Sequence, residues 1–286
     1  MRFPVPQEKG DAIMPRACAP DEPLLQSSTS SSPGKDSAAF DVVDAGQSKA
    51  TRKLAAGLSQ RGLVALSGVA DREAVARFAR RIMEIQRQRY DGPDGLTSIR
   101  EPTQPGRRSA DRVTDRGVAL HTAGSILMCP PRLLLLTCLR APTQGGHIRL
   151  VDGQRLYLDM AKRCPAAAVA FASASAGFFG SSCGVTAPAF GRRADGRVSV
   201  RLPLDGLICW APEAEQHVPA LQDALVRNTV EVKLQAGQGL LVDNYRWATG
   251  RSPSIGPQRL IRALGFPRDD LPMSFLPASS PQGGAV

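Results

Sequence analysis

Hydrophobic residues in the first part of the chain follow a helical spacing. Apolar side chains recur at intervals of three and four in two places: Leu54, Ala55 and Leu58, and later Val75, Phe78, Ala79 and Ile82. This spacing predicts two helices, and Asp71 is placed to cap the start of the second helix. Between them, the apolar run of residues 62–66 predicts a strand.

From Gly117 onward the pattern changes to short apolar runs and alternations that indicate strands. The predicted strands are 118–121, 132–139, 147–151, 198–202, 230–234 and 239–242. In the fifth of these, Val230, Val232 and Leu234 alternate with polar residues, which places one face on a core and the other in water. A helix is predicted from Pro212 to Arg227, with the proline in its first turn.

This order of elements favours a mainly β protein with flanking helices, an α+β fold built on a double-stranded β-helix, the cupin-like jelly roll. One folded domain is predicted over residues 51–268. Residues 1–50 are rich in Ser, Pro, Asp and Ala, which predicts a disordered leader. Residues 269–286 collect Pro, Ser and Gly and predict a flexible tail.

The composition is that of a cytoplasmic protein. The 286 residues are 42% hydrophobic, which is enough to bury a sizeable core. The chain has neither an apolar run long enough to span a membrane nor the apolar segment of a secretory signal, so we expect no membrane association. Its six cysteines lack metal-binding spacing and are interpreted as thiols that act as small apolar fillers.

The formal charge of +10 makes an anionic partner plausible on electrostatic grounds. The arginines are scattered singly and in pairs such as Arg107-Arg108 and Arg192-Arg193, and aromatic residues that could stack on bases are few. We therefore expect no nucleic acid as a partner. A small polar or anionic metabolite is the expected ligand, and the sequence carries no signal for an oligomeric state.

Four polar or glycine-containing segments carry the candidate chemistry. They are His121-Thr122-Ala123, residues 145–152 (GGHIRLVD), residues 243–251 (DNYRWATGR) and Arg262. Side chains two apart on a strand point to the same side of a sheet, so ligands at positions 121 and 123 could share one metal ion. Asp243 and Asn244 predict a turn, because such side chains bond to their own nearby backbone.

These segments resemble the motifs of the non-haem iron(II)/2-oxoglutarate-dependent oxygenases of the taurine dioxygenase and clavaminate synthase type. The family pattern is H-x-D, then G-G-x-T-x-x-x-D, then D-N-x-R-x-x-H-G-R, and finally a carboxylate-binding arginine. The resemblance implies a jelly-roll fold, Fe(II) and 2-oxoglutarate as cofactors, and oxidative tailoring of a small polar metabolite in a specialised biosynthetic pathway.

The chain departs from the family at the cofactor positions. In the family two histidines and one carboxylate bind the iron, and the resemblance places these ligands at His121, Ala123 and Thr249. His121 is then the only remaining catalytic and metal-binding residue of a degenerate site, with weak or absent metal binding. Ile148 stands where the family has a threonine that holds 2-oxoglutarate, whereas Arg262 stands at the arginine that binds its carboxylate.

These departures leave several functions open. One is an oxidoreductase that retains weak metal or 2-oxoglutarate binding through His121 and Arg262. Another is a non-catalytic or metal-independent protein, a pseudoenzyme, that binds a small anion or a partner enzyme in the same pocket. A metal-free isomerase or lyase with His121 as its acid–base group lies between them. Alanine at position 123 also resembles the halogenating branch of the family, although that branch needs both histidines.

The remaining candidate residues have structural interpretations as well. His147 should point away from the face that Ile148 occupies, and His217 is expected to be solvated or packed near a helix start. If both lie far from His121, the metal site loses its last candidate histidines. Arg262 has an alternative role in an ion pair with a nearby carboxylate, for which Asp243 and Asp205 are the candidates.

Overall fold

The computed structural model describes residues 42–47, 50–100, 117–193, 196–204 and 206–268, all within one compact unit, Ala39–Val286. The described helices are α1 (Ala50–Arg61), α2 (Arg72–Ile82), α3 (Gly153–Arg163), α4 (Pro165–Ala172), α5 (Pro212–Glu215) and α6 (Val218–Asn228). None of them combines the length and apolar character that a membrane crossing requires.

The described strands are short and numerous. In chain order they are β1 (Val42–Asp44), β2 (Leu63–Ser67), β3 (Met83–Ile85), β4 (Thr97–Arg100), β5 (Val118–His121), β6 (Leu133–Arg140), β7 (Gln144–Gly145), β8 (Ile148–Asp152), β9 (Gly177–Gly180), β10 (Gly184–Ala187), β11 (Phe190–Arg192), β12 (Val198–Val200), β13 (Ile208–Trp210), β14 (Thr229–Val232), β15 (Gln238–Asp243), β16 (Trp247–Arg251), β17 (Ser254–Ile255) and β18 (Arg259–Pro267).

Two sheets form the body of the fold. The larger sheet has the order β1-β2-β15-β6-β18-β3, with β4 also paired to β18, and the smaller sheet has the order β14-β8-β16-β5. One apolar cluster contains Leu136 and Leu260 of the larger sheet together with Ile148 and Leu150 of the smaller one. The sheets therefore pack face to face around a shared interior, and the predicted jelly roll with flanking helices is confirmed.

Helices cover the outer faces of both sheets. Leu58 of α1 and Phe78 of α2 pack with Ile261 on the outer face of the larger sheet. Leu156 of α3 packs with Val151 on the outer face of the smaller sheet. The central strands β6 and β15 thus bury both of their faces, which explains their continuous apolar runs.

The start of α2 follows the sequence prediction, whereas the later predicted helix needs correction. Asp71 caps α2 because its Oδ1 accepts a hydrogen bond of 2.7 Å from the backbone N–H of Ala74. The helix predicted over Pro212–Arg227 is instead divided into α5 and α6, with His217 in a non-helical conformation between them. Pro219 lies in the first turn of α6, where its missing N–H and its ring prevent α5 from continuing.

The predicted leader boundary at residue 50 is too late. Residues 42–44 form β1, which pairs in parallel with β2, and Val43 is buried in the cluster under α1 and α2. The folded chain therefore includes part of the segment that its composition assigned to a disordered leader. Residues 1–41 and 48–49 of that leader, and the predicted tail 269–286, lie outside the described residues.

The described cysteines are free thiols with different surroundings. Cys138 is buried in β6, and burial raises the pKa of its thiol above the ordinary value, as befits an apolar filler. Cys129, Cys183 and Cys209 are exposed, so the filler interpretation is wrong for these three.

Candidate functional site

A cavity of about 250 Å³ lies between the two sheets. The five positions that the family resemblance singles out all line it: His121, Ala123, Ile148, Thr249 and Arg262. The larger part of the lining is apolar and comes from both sheets, including Leu134, Leu136, Leu260 and Leu264. The fold therefore brings together residues that are separated by more than a hundred positions in the chain.

His121 and Thr249 face each other across two neighbouring strands. Thr249 of β16 is the cross-strand partner of His121 on β5 and of Leu150 on β8. Directly opposed residues have Cβ atoms about 5 Å apart. A bulge follows on β5, because the next partner of β16, Arg251, pairs with Val118. The first and last ligand positions of the family thus border the same space.

The ring of His121 is held in one orientation by its own strand. Its Nδ1 lies 2.9 Å from the carbonyl oxygen of Ala119. A carbonyl can only accept a hydrogen bond, so Nδ1 carries the proton in the neutral ring and Nε2 carries the lone pair. The imidazole is therefore in a state that can ligate a metal or accept a proton at Nε2.

Asn244 fixes the backbone at position 123. The N–H of Ala123 donates to Oδ1 of Asn244 at 2.7 Å, and Nδ2 of Asn244 donates to the carbonyl oxygens of Ala123 and Pro131, both at 2.8 Å. Asn244 is only 1% exposed. The backbone at the family's carboxylate position is thus held by a fully buried amide, although the side chain there is a methyl group.

The turn that contains Asn244 is tied to the smaller sheet by a buried ion pair. Nε and Nη2 of Arg246 donate to the two carboxylate oxygens of Asp152, at 3.0 and 2.8 Å. Nη1 of Arg246 donates to the carbonyl of Gln60 at 2.9 Å. Asp243 Oδ1 accepts from the N–H of Tyr245 at 2.9 Å, as predicted for an Asx turn. Sequence analysis did not identify the Asp152–Arg246 pair.

Arg262 extends from the cavity face of β18. Leu260, Arg262 and Leu264 line the cavity, while the alternating residues Ile261 and Ala263 belong to the outer cluster. Nη2 of Arg262 makes one long hydrogen bond, 3.4 Å, to Oγ1 of Thr97. Its Nε is buried and has no hydrogen-bond partner among the described residues.

The predicted alternative, an ion pair between Arg262 and a carboxylate, is not formed within the described part of the chain. Asp243 instead engages its own turn through Tyr245, and Asp205 lies outside the described residues. Thr97 connects Arg262 only indirectly to an acidic group, because its hydroxyl donates to Asp91. The guanidinium therefore keeps most of its five donors for other partners.

Arg251 is a second cavity-lining arginine that sequence analysis overlooked. It is buried, and its Nη1 donates to Oε1 of Gln258, whose Nε2 in turn donates to the carbonyl of Gly146 at 3.0 Å. The signal was present in the alternation of β16, because positions 249 and 251 must face the same side of the sheet. Arg251 is thus an engaged cation at the edge of the cavity.

The other two histidines lie away from the cavity, as expected. Nδ1 of His147 is 4.0 Å from Oε2 of Glu231 on the outer face of the smaller sheet. His217 immediately precedes α6. Ile148, in contrast, is 1% exposed and turns its side chain into the cavity where the family has a threonine.

The loop after β5, which forms part of the cavity wall, is held by Arg201. Nη1 of this arginine donates to the carbonyls of Ser125 and Leu127, at 2.5 and 2.8 Å. Burial lowers the pKa of the Arg201 guanidinium from its ordinary value, and the carbonyl oxygens accept its hydrogen bonds. Arg201 therefore positions the loop.

The side chains at the three ligand positions are a poor fit to iron(II). Among the described residues, no group of three or more His, Cys, Asp and Glu side chains could hold a metal ion. Positions 121, 123 and 249 present an imidazole, a methyl group and a neutral hydroxyl. The usual open iron(II) site of this kind needs two histidines and a carboxylate.

Several solved structures share the fold. A putative alpha-ketoglutarate-dependent taurine dioxygenase from Burkholderia xenovorans has a TM-score of 0.61 at 17% identity, with 81% of this chain and 90% of that chain covered. A mutant of the non-heme iron oxygenase OrfP, solved with (3S)-hydroxy-L-Arg, has a TM-score of 0.59 at 13% identity, with coverages of 80% and 84%. Asparagine oxygenase, solved with Fe(II), 3-hydroxyasparagine and succinate, has a TM-score of 0.58 at 14% identity, with coverages of 75% and 78%.

At sequence identities this low, the structural similarity establishes only the architecture. The assignment to a family depends on the sequence comparison. A comparison with curated protein sequences gave no match. The family model described as "Taurine catabolism dioxygenase TauD, TfdA family" matches residues 23–264, which is most of the chain. The chain therefore belongs to the TauD/TfdA family, which is related to the iron and 2-oxoglutarate-dependent oxygenases of small metabolites.

Proposed function

We propose that this protein binds a small organic carboxylate in the cavity between its sheets and does so without iron. The observation that carries the proposal is Arg262, whose buried Nε lacks a partner within the described part of the chain, in a cavity that presents one imidazole at the three metal-ligand positions. A guanidinium offers its N–H groups in a planar fork that matches the two oxygens of a carboxylate.

The energetics favour such a ligand. A buried donor without a partner costs about 1–3 kcal/mol. A carboxylate that accepts hydrogen bonds from Arg262 would remove that cost and neutralise the charge. Leu260 and Leu264 flank Arg262 in the lining, and their apolar side chains lower the local dielectric, which strengthens both effects.

His121 supplies a second polar contact for the ligand. Its Nδ1 is engaged by the carbonyl of Ala119, so the neutral ring presents its lone pair at Nε2. That atom can accept a hydrogen bond from a ligand hydroxyl or amide group. It can also take up a proton, which would make His121 the acid–base group of a metal-free reaction.

The family match supports a second candidate, an Fe(II)- and 2-oxoglutarate-dependent oxidoreductase that tailors a small polar metabolite in a specialised pathway. Relatives with the same fold were solved with Fe(II), succinate and hydroxylated amino acids. The buried amide of Asn244 still holds the backbone at position 123. This candidate needs iron ligands in addition to His121, because Ala123 has none to offer.

Anaerobic titration of the full chain with Fe(II) and 2-oxoglutarate separates the two candidates. A 2-oxoglutarate–iron chelate gives a visible charge-transfer band. We expect no band from the folded protein, and a band would favour the oxygenase. In parallel, calorimetric titration in EDTA with mono- and dicarboxylates should show binding that Arg262→Ala removes. Arg259→Ala is the matched control, because Arg259 lies on the same strand outside the cavity lining.

A reconstituted site tests whether only the ligands are missing. The double variant Ala123→Asp and Thr249→His should acquire the charge-transfer band, because Asn244 fixes the backbone at one position and the β5–β16 register fixes the other. The single variant Thr249→His is the control and should give a much weaker band. Absence of the band in the folded double variant would mean that the scaffold no longer has the family's metal geometry.

A further inference from the structure

We infer that the ligand is a monocarboxylate with an apolar body, and that dicarboxylates such as 2-oxoglutarate are disfavoured. The inference rests on the proposed function, because it uses the same contact to Arg262. It adds the chemical class of the ligand, which follows from the cations available among the described residues, the apolar lining and the small size of the cavity.

Among the described residues that line the cavity, the available positive charge matches one carboxylate. Arg262 has a single long hydrogen bond to Thr97 within the described residues. Arg251, the other arginine of the lining, already donates to Gln258, which is itself held by Gly146. A second carboxylate in this interior would lose its hydration without a dedicated cation, which is unfavourable.

The lining away from Arg262 is apolar at two family positions that are polar in related sites. Ala123 puts a methyl group where the family has a metal-binding carboxylate, and Ile148 replaces the hydroxyl of a threonine. Leu134 and Leu136, which lie beside Arg262 on the neighbouring strand β6, add further apolar lining. Each ligand methylene buried against such a wall tightens binding by roughly fourfold.

The cavity limits the size of the ligand. At about 250 Å³ the cavity lies just below the ~300–1,000 Å³ of pockets that hold drug-sized ligands, so its ligand is small. Hexanoate is a small molecule that combines one carboxylate with an unbranched apolar chain. It is therefore the appropriate first probe.

The experiment compares three probes of similar length by calorimetric titration of the full chain in EDTA. Hexanoate has one carboxylate, adipate has one at each end, and hexanol has none. We expect hexanoate to bind at least about tenfold more tightly than either of the others, because only hexanoate matches both the cation and the apolar wall.

Each other outcome has a defined meaning. Adipate binding as tightly as hexanoate would overturn the inference but leave the carboxylate-binding function intact, with Arg251 as the second cation. Hexanol binding as tightly as hexanoate would overturn recognition of the carboxylate, and with it the proposed function. Failure of all three probes to bind would overturn both proposals.

Two variants sharpen the comparison. Arg262→Ala should weaken hexanoate binding at least about tenfold and leave hexanol unchanged, because it removes the cation alone. Arg259→Ala should leave all three affinities unchanged. Ile148→Thr, which returns a hydroxyl to the wall, should reduce the preference for hexanoate over adipate; an unchanged preference would remove Ile148 from the determinants of specificity.

Discussion

Arg246, which is buried, and Arg262, which is partly buried, are two arginines of the same fold with different surroundings. Arg246 donates to both oxygens of Asp152 and to the carbonyl of Gln60, so a carboxylate compensates its charge. Arg262 makes one long hydrogen bond to the residues that the structure describes, and its buried Nε has no partner among them. The first arrangement holds the chain together, whereas the second leaves donors for a ligand.

The largest effect is expected from breaking the compensated pair. Arg246→Ala leaves the carboxylate of Asp152 buried without its cation, which should lower the free energy of unfolding by about 3–5 kcal/mol. Urea unfolding measures the loss. The control is Arg163→Ala, which removes an exposed ion pair with Asp159 and should cost less than about 1 kcal/mol. Equal losses in both variants would contradict the structural role of Arg246.

A somewhat smaller loss is expected at Asn244, which belongs to the same turn. Asn244→Ala removes three buried hydrogen bonds and should lower the free energy of unfolding by about 2–3 kcal/mol. If the variant folds, it should also fail to support iron binding in the Ala123→Asp, Thr249→His background. Retained iron binding there would show that the backbone at position 123 does not depend on Asn244.

Arg262→Ala should behave in the opposite way to Arg246→Ala. The substitution loses the packing of the side chain but also removes a buried donor that has no partner among the described residues, so the two effects offset and the free energy of unfolding should change by less than about 1 kcal/mol. Urea unfolding of the ligand-free variant tests this. A loss as large as that of Arg246→Ala would mean that Arg262 is structural and would remove the contrast between the two arginines.

The smallest effect concerns a partly exposed pair, Arg72 and Asp94. The hydrogen bond from Arg72 lowers the pKa of Asp94 below its ordinary value. A carboxyl group whose pKa is lower in the folded state stabilises the protein at pH values above its unfolded-state pKa, about 3.9. This stabilisation is lost as the pH falls through the folded-state pKa.

Asp94→Asn removes the charge and nearly preserves the shape of the side chain. It should lower the free energy of unfolding by less than about 1 kcal/mol at pH 7. The difference from the unaltered protein should disappear as the pH falls through the lowered folded-state pKa of Asp94, below which both side chains are neutral. A constant difference across this range would exclude the ion pair as its cause.

Some elements were predictable because the signal is local. The α2 cap at Asp71 and the Asx turn at Asp243 follow from side chains that bond to backbone two or three residues away. The alternation in β14 and the apolar run in β6 follow from burial of one or both faces of a strand. The prediction of a continuous helix over Pro212–Arg227 was wrong, because it was based on the spacing of apolar residues and took no account of Pro219.

The site was predictable only as a set of positions. Motif spacing identified His121, Ala123, Thr249, Ile148 and Arg262, and the structure places all five on one cavity. Sequence analysis missed Arg251 and the Asp152–Arg246 pair, because no local pattern relates residues that meet through different strands. β1 was missed for the same reason. It is held by its pairing with β2, which the polar composition of the surrounding segment does not reveal.

The sequence by itself determined the family, the strand-rich fold and the side-chain chemistry at the ligand positions, because these depend on residue identity and spacing. Only the tertiary structure decided which polar groups compensate one another. Arg246 and Arg262 are the same residue type, and the sequence alone assigns no partner to either. The register of the strands brings Asp152 to Arg246 and surrounds Arg262 with leucines, so the packing of the two sheets separates a structural cation from one that is available to a ligand.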